Sequence, residues 1–400
     1  MKIAFIGQKG IPASMGGVET HVEKLAVGLH KRGHLVTVYC REWYVKKKNQ
    51  RYKGVNLKFT KSWHTKNFDT ITHVLTSTID AMRQGFDVIH YHGVGPALLS
   101  WMPRLFTPSI RVVTTFHSID RHHLKWGLLA RFFLRIGEWS AVRFADETIA
   151  VSKTLQKYCR KNYRSEVIYI PNGVDSRVRY PAREIKKRYG LESGDYILFM
   201  SRLVKHKGAQ YLIDAYNKIE TEKKLVIAGG SAFTDKYVEK LKEKVRSNRK
   251  IIMTGNVEMG SRLWNELYSN AYLFVLPSES EGLPIVVLEA MSFGLCPLIS
   301  DIPQNLEAIS GGYGFKFKNK NTNSLQVQLE KLLHEPKLVK HVGDEAQKHV
   351  LENYNWKDII KATESIYLCL KKEEQPSWLN SRINKKAVKQ CSTALNHGKN

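Results

Sequence analysis

The sequence predicts an α/β protein that contains two doubly wound, mostly parallel sheets in tandem. Short apolar strands alternate with helical segments in the first half, as expected when helices cover both faces of a parallel sheet. A second series of the same kind begins with "YILFMSRL" at 196–203. The chain has 400 residues, of which 42% are hydrophobic, and this is enough for two domains with a core each. We therefore expect two Rossmann-like domains that face a ligand-binding cleft.

The first predicted domain spans residues 1–175. "KIAFIG" is its first strand, and the helix "VETHVEKLAVGLHKRG" follows with an apolar stripe at Val22, Leu25, Ala26 and Leu29. Further strands are predicted at "LVTVYC", "FDVIHYHG", "IRVVTTFHS", "ADETIAVS" and "EVIYIPNGVD".

The second predicted domain spans residues 176–355. After its first strand, further strands are predicted at "KLVIAGG", "KIIMTGNV", "AYLFVLPS" and "LCPLISD". A helical pattern over 356–370 is expected to pack back on the first domain. Residues 371–400 are expected to form a weakly ordered basic tail.

Composition indicates a cytoplasmic protein. The start "MKIAFIGQKG" has too short an apolar run for a signal peptide, and no apolar stretch approaches the length of a membrane span. The cysteines at positions 40, 159, 296, 369 and 391 show neither metal-like nor paired spacing, which suits a reducing compartment.

The net charge of +26 is distributed unevenly, with +15 in residues 1–175, +6 in 176–375 and +5 in 376–400. Such a field attracts an anion: nucleic acid, an acidic membrane leaflet or a phosphorylated substrate. Solubility alone is the alternative, but it does not account for the difference between the halves. Nucleic acid has only the charge in its favour, because no recognition motif is present.

Two glutamates flank an apolar run in "PSESEGLPIVVLEAMSFG", at 277–294. Glu281 is expected in the loop after a buried strand, and Glu289 about one and a half turns into the next helix, with Pro284 in the first turn of that helix. Backbone N–H groups from Gly282 through Leu283 to Ile285 would form an anion site. The two carboxylates can accept hydrogen bonds from sugar or ribose hydroxyls, which together with a phosphate describes a sugar nucleotide. A helix-dipole glutamate beside a solvated one is the alternative.

Two basic residues are expected near the same loop. Arg202 and Lys207 lie in "SRLVKHKG", directly after the strand "YILFM". A guanidinium fork and a lysine ammonium suit a diphosphate leaving group.

The first strand is followed by the glycine-rich loop "GQKGIPASMGG", in which Gly16 and Gly17 precede a helix and would let the backbone approach a phosphate. A flexible surface loop is the alternative. Gly7 and Gly10 lack the G-x-G-x-x-G spacing, and no acidic residue ends the strand "LVTVYC", so a nicotinamide site is disfavoured.

His117 follows the strand "RVVTTF" at a carboxyl end, and Asp120 is expected to reach the same place. No histidine or cysteine spacing indicates a metal. The helical stretch 124–144, with Arg131 and Arg135 one turn apart, suits a core helix or an interfacial face for a lipid-linked acceptor.

Taken in order, these motifs resemble the GT-B glycosyltransferases of family 4 over residues 1–370. The motifs are "GGVETHVEKLA", "IPNGVD", "SRLVKHKG" and "ESEGLPIVVLE". The first 26 residues further resemble a rhamnosyltransferase-like subgroup of bacterial surface polysaccharide synthesis.

The resemblance implies a role for each candidate residue. Arg202 and Lys207 would bind the donor diphosphate, Glu281 the sugar hydroxyls and Glu289 the ribose. Gly16 and Gly17 would approach the phosphate and the acceptor side. His117 would lie beside the reacting sugar carbon, and Asn172 at the domain junction. The family loop Glu-Gly-Phe-Gly here reads Glu281, Gly282, Leu283, Pro284, which leaves the sugar specificity open.

The expected function is a retaining transfer of a hexosyl or deoxyhexosyl group from a nucleoside-diphosphate sugar to a glycan or lipid-linked acceptor. The resemblance implies no cofactor and no metal. The basic first domain and tail would hold the enzyme on the inner face of the cell membrane. A sugar-nucleotide epimerase of the same fold and a non-catalytic sugar-nucleotide-binding scaffold are the alternatives.

Overall fold

Two sheets organise the computed structural model, which describes residues 1–14, 16–45, 49–63, 68–122, 127–232 and 234–372. Each sheet belongs to a separate structural unit. Among the described residues, unit 1 consists of Met1–Asn172 together with residues 356–372, and unit 2 consists of Gly173–Asn355.

The strands of unit 1 are β1 Lys2–Ile6, β2 Leu35–Arg41, β3 Arg51–Tyr52, β4 Val55–Thr60, β5 Val88–His92, β6 Arg111–Phe116, β7 Glu147–Ala150 and β8 Ile168–Tyr169. Its helices are α1 Gly17–Lys31, α2 Asp69–Arg83, α3 Val94–Ala97, α4 Trp101–Phe106, α5 Leu128–Arg143, α6 Lys153–Tyr163 and, at the end of the described chain, α15 Trp356–Lys372. A short 3-10 helix covers Asp120–His122.

The sheet of unit 1 has the strand order β3-β4-β2-β1-β5-β6-β7-β8. All of its strand pairs are parallel except β3 with β4. The central strands β5 and β6 are buried along their whole length, as expected for a sheet covered on both faces. The apolar stripe of α1 is buried against this sheet, and each fully buried leucine there contributes about 2 kcal/mol.

In unit 2 the strands are β9 Tyr196–Met200, β10 Lys224–Ala228, β11 Ile251–Gly255, β12 Leu273–Leu276, β13 Pro297–Ser300 and β14 Phe315–Phe317. The helices are α7 Glu184–Tyr189, α8 Ala209–Tyr216, α9 Asp235–Val245, α10 Arg262–Asn270, α11 Ile285–Ser292, α12 Pro303–Ala308, α13 Thr322–His334 and α14 Pro336–Asn353. A 3-10 turn covers Lys205–Lys207. The strand order is β11-β10-β9-β12-β13-β14, and every pair is parallel.

The two units divide after Asn172, three residues before the end of the predicted first domain. The reason is a short parallel bridge in unit 2, where the N–H of Val174 donates to the carbonyl of Tyr354. Val174 therefore pairs with the end of unit 2.

Helix α15 packs against α1 within unit 1. The Glu364 carboxylate accepts from Arg32 at 2.6 Å and contacts the His34 ring at 2.8 Å. The basic tail predicted for 371–400 lies outside the described residues from position 373 onward.

The predicted fold class, α/β with two doubly wound sheets, is confirmed. Strands β3, β4 and β14 were absent from the sequence prediction. Strands β3 and β4 extend the sheet of unit 1 at one edge, where β4 is only partly buried, so its sequence carries a weaker apolar signal than the central strands. Strand β14 has three residues and lies at an edge of the sheet of unit 2.

Candidate active site

The first group of candidate residues lies where α1 begins. Gly16 is the N-cap of α1 with φ 108°, a conformation that strongly favours glycine, and Gly17 is the first helical residue. A Cβ atom at Gly16 would stand 2.2 Å from a carboxylate oxygen of Glu19. The preceding loop is held by carboxylates of α1, because Glu19 accepts from the N–H of Lys9 and Glu23 accepts from the N–H of Ala13.

His117 is the first residue after β6, and it contacts two other histidines. Its Nε2 lies 3.2 Å from Nδ1 of His92, the last residue of β5. Its ring centroid lies 4.8 Å from that of His21, which is in the first turns of α1. The carboxyl ends of two neighbouring strands and the start of α1 therefore converge on His117.

Asn172 joins this group through His21. The Oδ1 atom of Asn172 lies 3.0 Å from His21 Nδ1, and both side chains are buried. Since an amide oxygen only accepts, His21 Nδ1 carries the hydrogen and Nε2 carries the lone pair.

The three clustered histidines are uncharged at neutral pH. Burial lowers the pKa of His21 to about 4, against a weaker opposing effect of the Asn172 hydrogen bond. Burial, reinforced by the neighbouring rings, also holds the pKa values of His92 and His117 well below the usual value. His117 can therefore accept or share a hydrogen bond with a neutral hydroxyl, but it does not supply a positive charge.

Asp120 belongs to the loop that follows His117. Its carboxylate accepts from the Ser118 hydroxyl at 2.5 Å, within the same turn. This contact ties the start of the 3-10 helix to the end of β6.

The second group of candidates lies at the carboxyl ends of β9 and β12, which are neighbours in the sheet of unit 2. Arg202 and Lys207 are in the segment after β9. At the end of the 3-10 turn, Gly208 has φ 77°, and a Cβ there would stand 1.9 Å from the Pro277 carbonyl oxygen. This close approach sets the turn directly against the loop after β12.

Lys207 and Glu281 form an ion pair. Lys207 Nζ lies 2.6 Å from Glu281 Oε1, and the two side chains are 12% and 8% exposed. The Arg202 guanidinium is partly buried and makes no hydrogen bond or ion pair within the described part of the chain. One cation of this group is thus compensated, and the other is available to an anion.

The loop from Gly282 through Leu283 leads into α11, which begins at Ile285. Pro284 is the N-cap of this helix, one position before the first turn in which we expected it. By helix geometry, the first N–H groups of α11 lack intrahelical acceptors and carry a partial positive charge. Glu281 and Lys207 therefore lie beside a helix N-terminus.

Glu289 is the fifth residue of α11, and its carboxylate is buried. The Tyr268 phenol lies nearby, and burial together with the Glu289 carboxylate holds the pKa of Tyr268 well above its usual value. Glu289 is thus not the solvated residue of the alternative interpretation.

The comparisons with known proteins agree with this architecture. Residues 15–178 match the family model Glycosyltransferase Family 4, and residues 181–349 match Glycosyl transferases group 1. An uncharacterised glycosyltransferase of Methanocaldococcus jannaschii is 26% identical in an alignment of 392 positions, which covers 92% of this chain and 98% of the relative.

The chain is a glycosyltransferase of the GT-B fold.

Solved structures of the same fold cover nearly the whole enzyme. Sucrose-phosphate synthase from Thermosynechococcus elongatus matches with a TM-score of 0.81 and 20% identity, over 92% of this glycosyltransferase and 98% of that chain. Anabaena HepE, in complex with UDP and glucose, matches with a TM-score of 0.75 and 19% identity, over 92% and 99%.

The candidate residues of this glycosyltransferase form two groups, one on each unit. The structure brings Lys207 to Glu281, and it connects His117 to Asn172 through the ring of His21. Sequence reasoning missed His21, His92 and the buried Glu19. His92 is the last residue of a buried strand, and His117 directly follows one. The same strand-end reasoning that identified His117 could therefore have identified His92.

Helix α5 of the glycosyltransferase has two contrasting faces. Gly137, Glu138, Ser140 and Ala141 are buried, in agreement with a core-facing side. The opposite side exposes Leu128 at 86%, together with other large apolar side chains: Leu129, Phe132, Phe133 and Trp139. Residues 124–126 of the predicted helix lie outside the described residues.

Proposed function

We propose that the enzyme transfers a sugar from a nucleoside-diphosphate sugar to a hydroxyl of a glycan or lipid-linked acceptor, with retention of the anomeric configuration. The observation that carries the proposal is the buried Lys207–Glu281 pair beside the start of α11, with Arg202 on the neighbouring strand end. The complex of Anabaena HepE with UDP and glucose supports a donor of this chemical class.

The unit 2 group accounts for departure of the diphosphate. Arg202, Lys207 and the N–H groups at the start of α11 stabilise the negative charge that grows on the leaving oxygen. The carboxylates of Glu281 and Glu289 accept hydrogen bonds from hydroxyls of the sugar and the ribose. Because Glu281 holds Lys207 in an ion pair, Lys207 has to leave that carboxylate to contact the diphosphate, and Glu281 then accepts from a neutral hydroxyl.

The unit 1 group contacts the sugar and the acceptor side in this proposal. His117, as a neutral imidazole, shares a hydrogen bond with a sugar hydroxyl near the reacting carbon, and Asn172 orients the adjoining His21. Gly16 and Gly17 allow the backbone to approach the phosphate. The acceptor hydroxyl attacks on the face from which the diphosphate leaves, and a leaving phosphate oxygen takes its proton.

A transfer assay distinguishes the proposal from its alternatives. Purified enzyme is incubated with radiolabelled UDP-, GDP- and dTDP-sugars, with and without glycan and lipid-linked acceptors, and the products are separated by chromatography. We expect label to move to an acceptor with one nucleotide class. Donor conversion without acceptor would indicate an epimerase, and binding without any conversion would indicate a scaffold.

Retention is tested on the product of that assay. The coupling constant of the anomeric proton, measured by NMR, reports the configuration of the new linkage. We expect the configuration of the donor, and an inverted linkage would refute the proposed geometry of attack. A role in surface polysaccharide synthesis, which rests on the resemblance of the first 26 residues, predicts that deletion of the gene removes one sugar from that polymer.

We also propose that the enzyme binds an anionic membrane leaflet through the exposed face of α5. This face combines the apolar side chains of Leu128 and Phe132 with the exposed Arg135 and Arg143, a pattern typical of interfacial helices. Residues 1–175 carry a net charge of +15, which complements acidic lipid. In the described residues, every helix is too short or too polar to span a bilayer.

Liposome pelleting tests the membrane proposal. Binding should require acidic lipid, weaken as salt is raised, and fall strongly in a Leu128→Ser/Phe132→Ser variant. Val327→Ser, which removes an exposed apolar side chain from α13 of unit 2, is the control. Equal binding to neutral liposomes, or equal loss in the control, would refute the proposal.

A further inference from the structure

Three histidines of unit 1 form a cluster whose geometry suits a metal ion. One ring nitrogen from each of His21, His92 and His117 lies within 4.8 Å of the others. The three side chains come from α1, the end of β5 and the residue after β6, so the cluster is built on the central strands of a buried sheet rather than on a mobile loop. Sites on such elements hold their ligands precisely.

The distances are close to those that a tetrahedral zinc site requires. Zn–N bonds of 2.0–2.1 Å at the tetrahedral angle place ligand nitrogens roughly 3.3 Å apart. His92 Nδ1 and His117 Nε2 are already 3.2 Å apart, and one nitrogen of each of the three rings lies within 4.8 Å of the others, so the set has to contract by at most about 1.5 Å. Side-chain rotation provides a movement of this size.

Neighbouring residues orient the imidazole rings of the cluster, as hydrogen-bonding residues around a metal site orient its ligands. Asn172 accepts from His21 Nδ1 and leaves the lone pair on Nε2. His90 stacks on His92 with centroids 4.2 Å apart. Both nitrogens of His90 are engaged, one with the Tyr367 hydroxyl and one with Thr115, so His90 fixes the His92 ring without itself offering a ligand.

In the described part of the chain, His92 Nε2 is buried with no hydrogen-bond partner, so no contact there fixes the tautomer of His92, and Nδ1 can present its lone pair to an ion. Neutral imidazoles are ligands for zinc and other late transition metals, and poor ligands for Mg²⁺.

We propose that His21, His92 and His117 bind one divalent transition metal ion, with Zn²⁺ the best fit, and that the bound ion inhibits sugar transfer. Metal-free catalysis and inhibition by metal are compatible, because the ion occupies the imidazole of His117 that the substrate needs. The inhibitory part rests on the proposed function, whereas the binding part does not.

Binding is measured on the untagged full chain after treatment with EDTA. Zn²⁺ is titrated calorimetrically, and Co²⁺ is titrated while the visible absorption of four-coordinate cobalt is recorded. We expect one equivalent to bind to the wild type, and Asn172→Ala to weaken that binding about 10- to 100-fold by releasing the His21 ring. Mg²⁺ should give no comparable binding.

Three variants separate ligand loss from misfolding. His92→Gln should lose the equivalent, whereas His92→Cys should keep it and add a thiolate-to-cobalt charge-transfer band, because a thiolate is also a zinc ligand. His73→Gln is the matched control, since His73 is a fully buried histidine of α2 outside the cluster. Equal binding by the wild type and both glutamine variants, or no binding by the wild type, would overturn the proposal.

Inhibition is tested separately in the transfer assay. Zn²⁺ should slow transfer competitively with the donor sugar, and EDTA should restore the rate. One equivalent bound at the cluster with an unchanged rate would overturn the inhibitory part. An enzyme preparation that binds the metal but transfers no sugar under any condition would count against the proposed function and leave the metal site intact.

Discussion

The ion pair between Lys207 and Glu281 makes a prediction that separates stability from ligand binding. Lys207→Met removes the cation and keeps most of the side chain, while Glu281→Gln removes the negative charge at nearly constant shape. The atoms are 2.6 Å apart and the side chains are about nine-tenths buried, so the surviving partner is left charged and poorly solvated. Loss of one partner of a buried pair costs about 3–5 kcal/mol, and we expect about 3 kcal/mol here.

The double variant should cost less than the sum of the two single variants, with a coupling energy of about 2 kcal/mol. Urea unfolding measures these free energies. Lys205→Met is the matched control, because it removes the same charge from the same turn at an exposed side chain. It should change stability by about 0.5 kcal/mol or less. Unfolding free energies that add up across the two single variants would contradict a buried ion pair between Lys207 and Glu281.

Ligand affinity should change in opposite directions in the two single variants. Lys207 has to leave Glu281 in order to contact a diphosphate, so Glu281→Gln should bind a nucleoside diphosphate at least as tightly as the wild type. Lys207→Met should bind it about tenfold or more weakly, since a charge-assisted hydrogen bond is worth about 1.5–3 kcal/mol. Both variants should transfer sugar slowly. Weaker diphosphate binding by Glu281→Gln would contradict the assignment of that carboxylate to the sugar.

Two further predictions concern unit 1. Burial, with a smaller effect of the nearby Arg41 cation, lowers the pKa of His73 to about 4, so between pH 6.5 and 4 the unfolded chain binds a proton that the folded chain does not. Stability should therefore fall by about 2 kcal/mol more in the wild type than in His73→Gln as the pH drops from 7 to 5, and parallel urea-unfolding curves would refute this. Gly16→Ala should lower the free energy of unfolding by about 1–3 kcal/mol because of its positive φ, and it should slow transfer because its Cβ meets Glu19. Gly33→Ala is the control: its φ is 91° and the space around it is open, so it should lower stability without slowing transfer. A normal transfer rate in Gly16→Ala would exclude the loop from the site.

The fold was predictable because most strands of the two sheets appear in the sequence as short apolar runs. The strand Arg111–Phe116 is buried at every position and is recognised as a continuous run. The apolar stripe of α1 is recognised by its helical spacing. Strand β4, Val55–Thr60, lies next to the edge strand β3 and alternates apolar with polar residues, so it lacks such a run.

The site was predictable only in part, for a physical reason. Strand-end loops could be located, so the placement of Lys207 near Glu281 was predictable. Side chains that meet across the chain leave no local pattern: His21 and His117 are 96 positions apart in sequence, and their ring contact exists only through the fold. For the same reason the sequence could show no histidine spacing typical of a metal site.

The most direct test of the central claim is a calorimetric titration of UDP, GDP and dTDP into the wild type, Glu289→Gln and Glu279→Gln. Glu279 lies in the loop that precedes α11 and pairs with Lys320, so it serves as the charge control. We predict that one nucleotide binds to the wild type and to Glu279→Gln and that Glu289→Gln loses most of this affinity. Equal binding of that nucleotide to all three proteins, or no binding of any nucleotide, would contradict the assignment of unit 2 as the donor site.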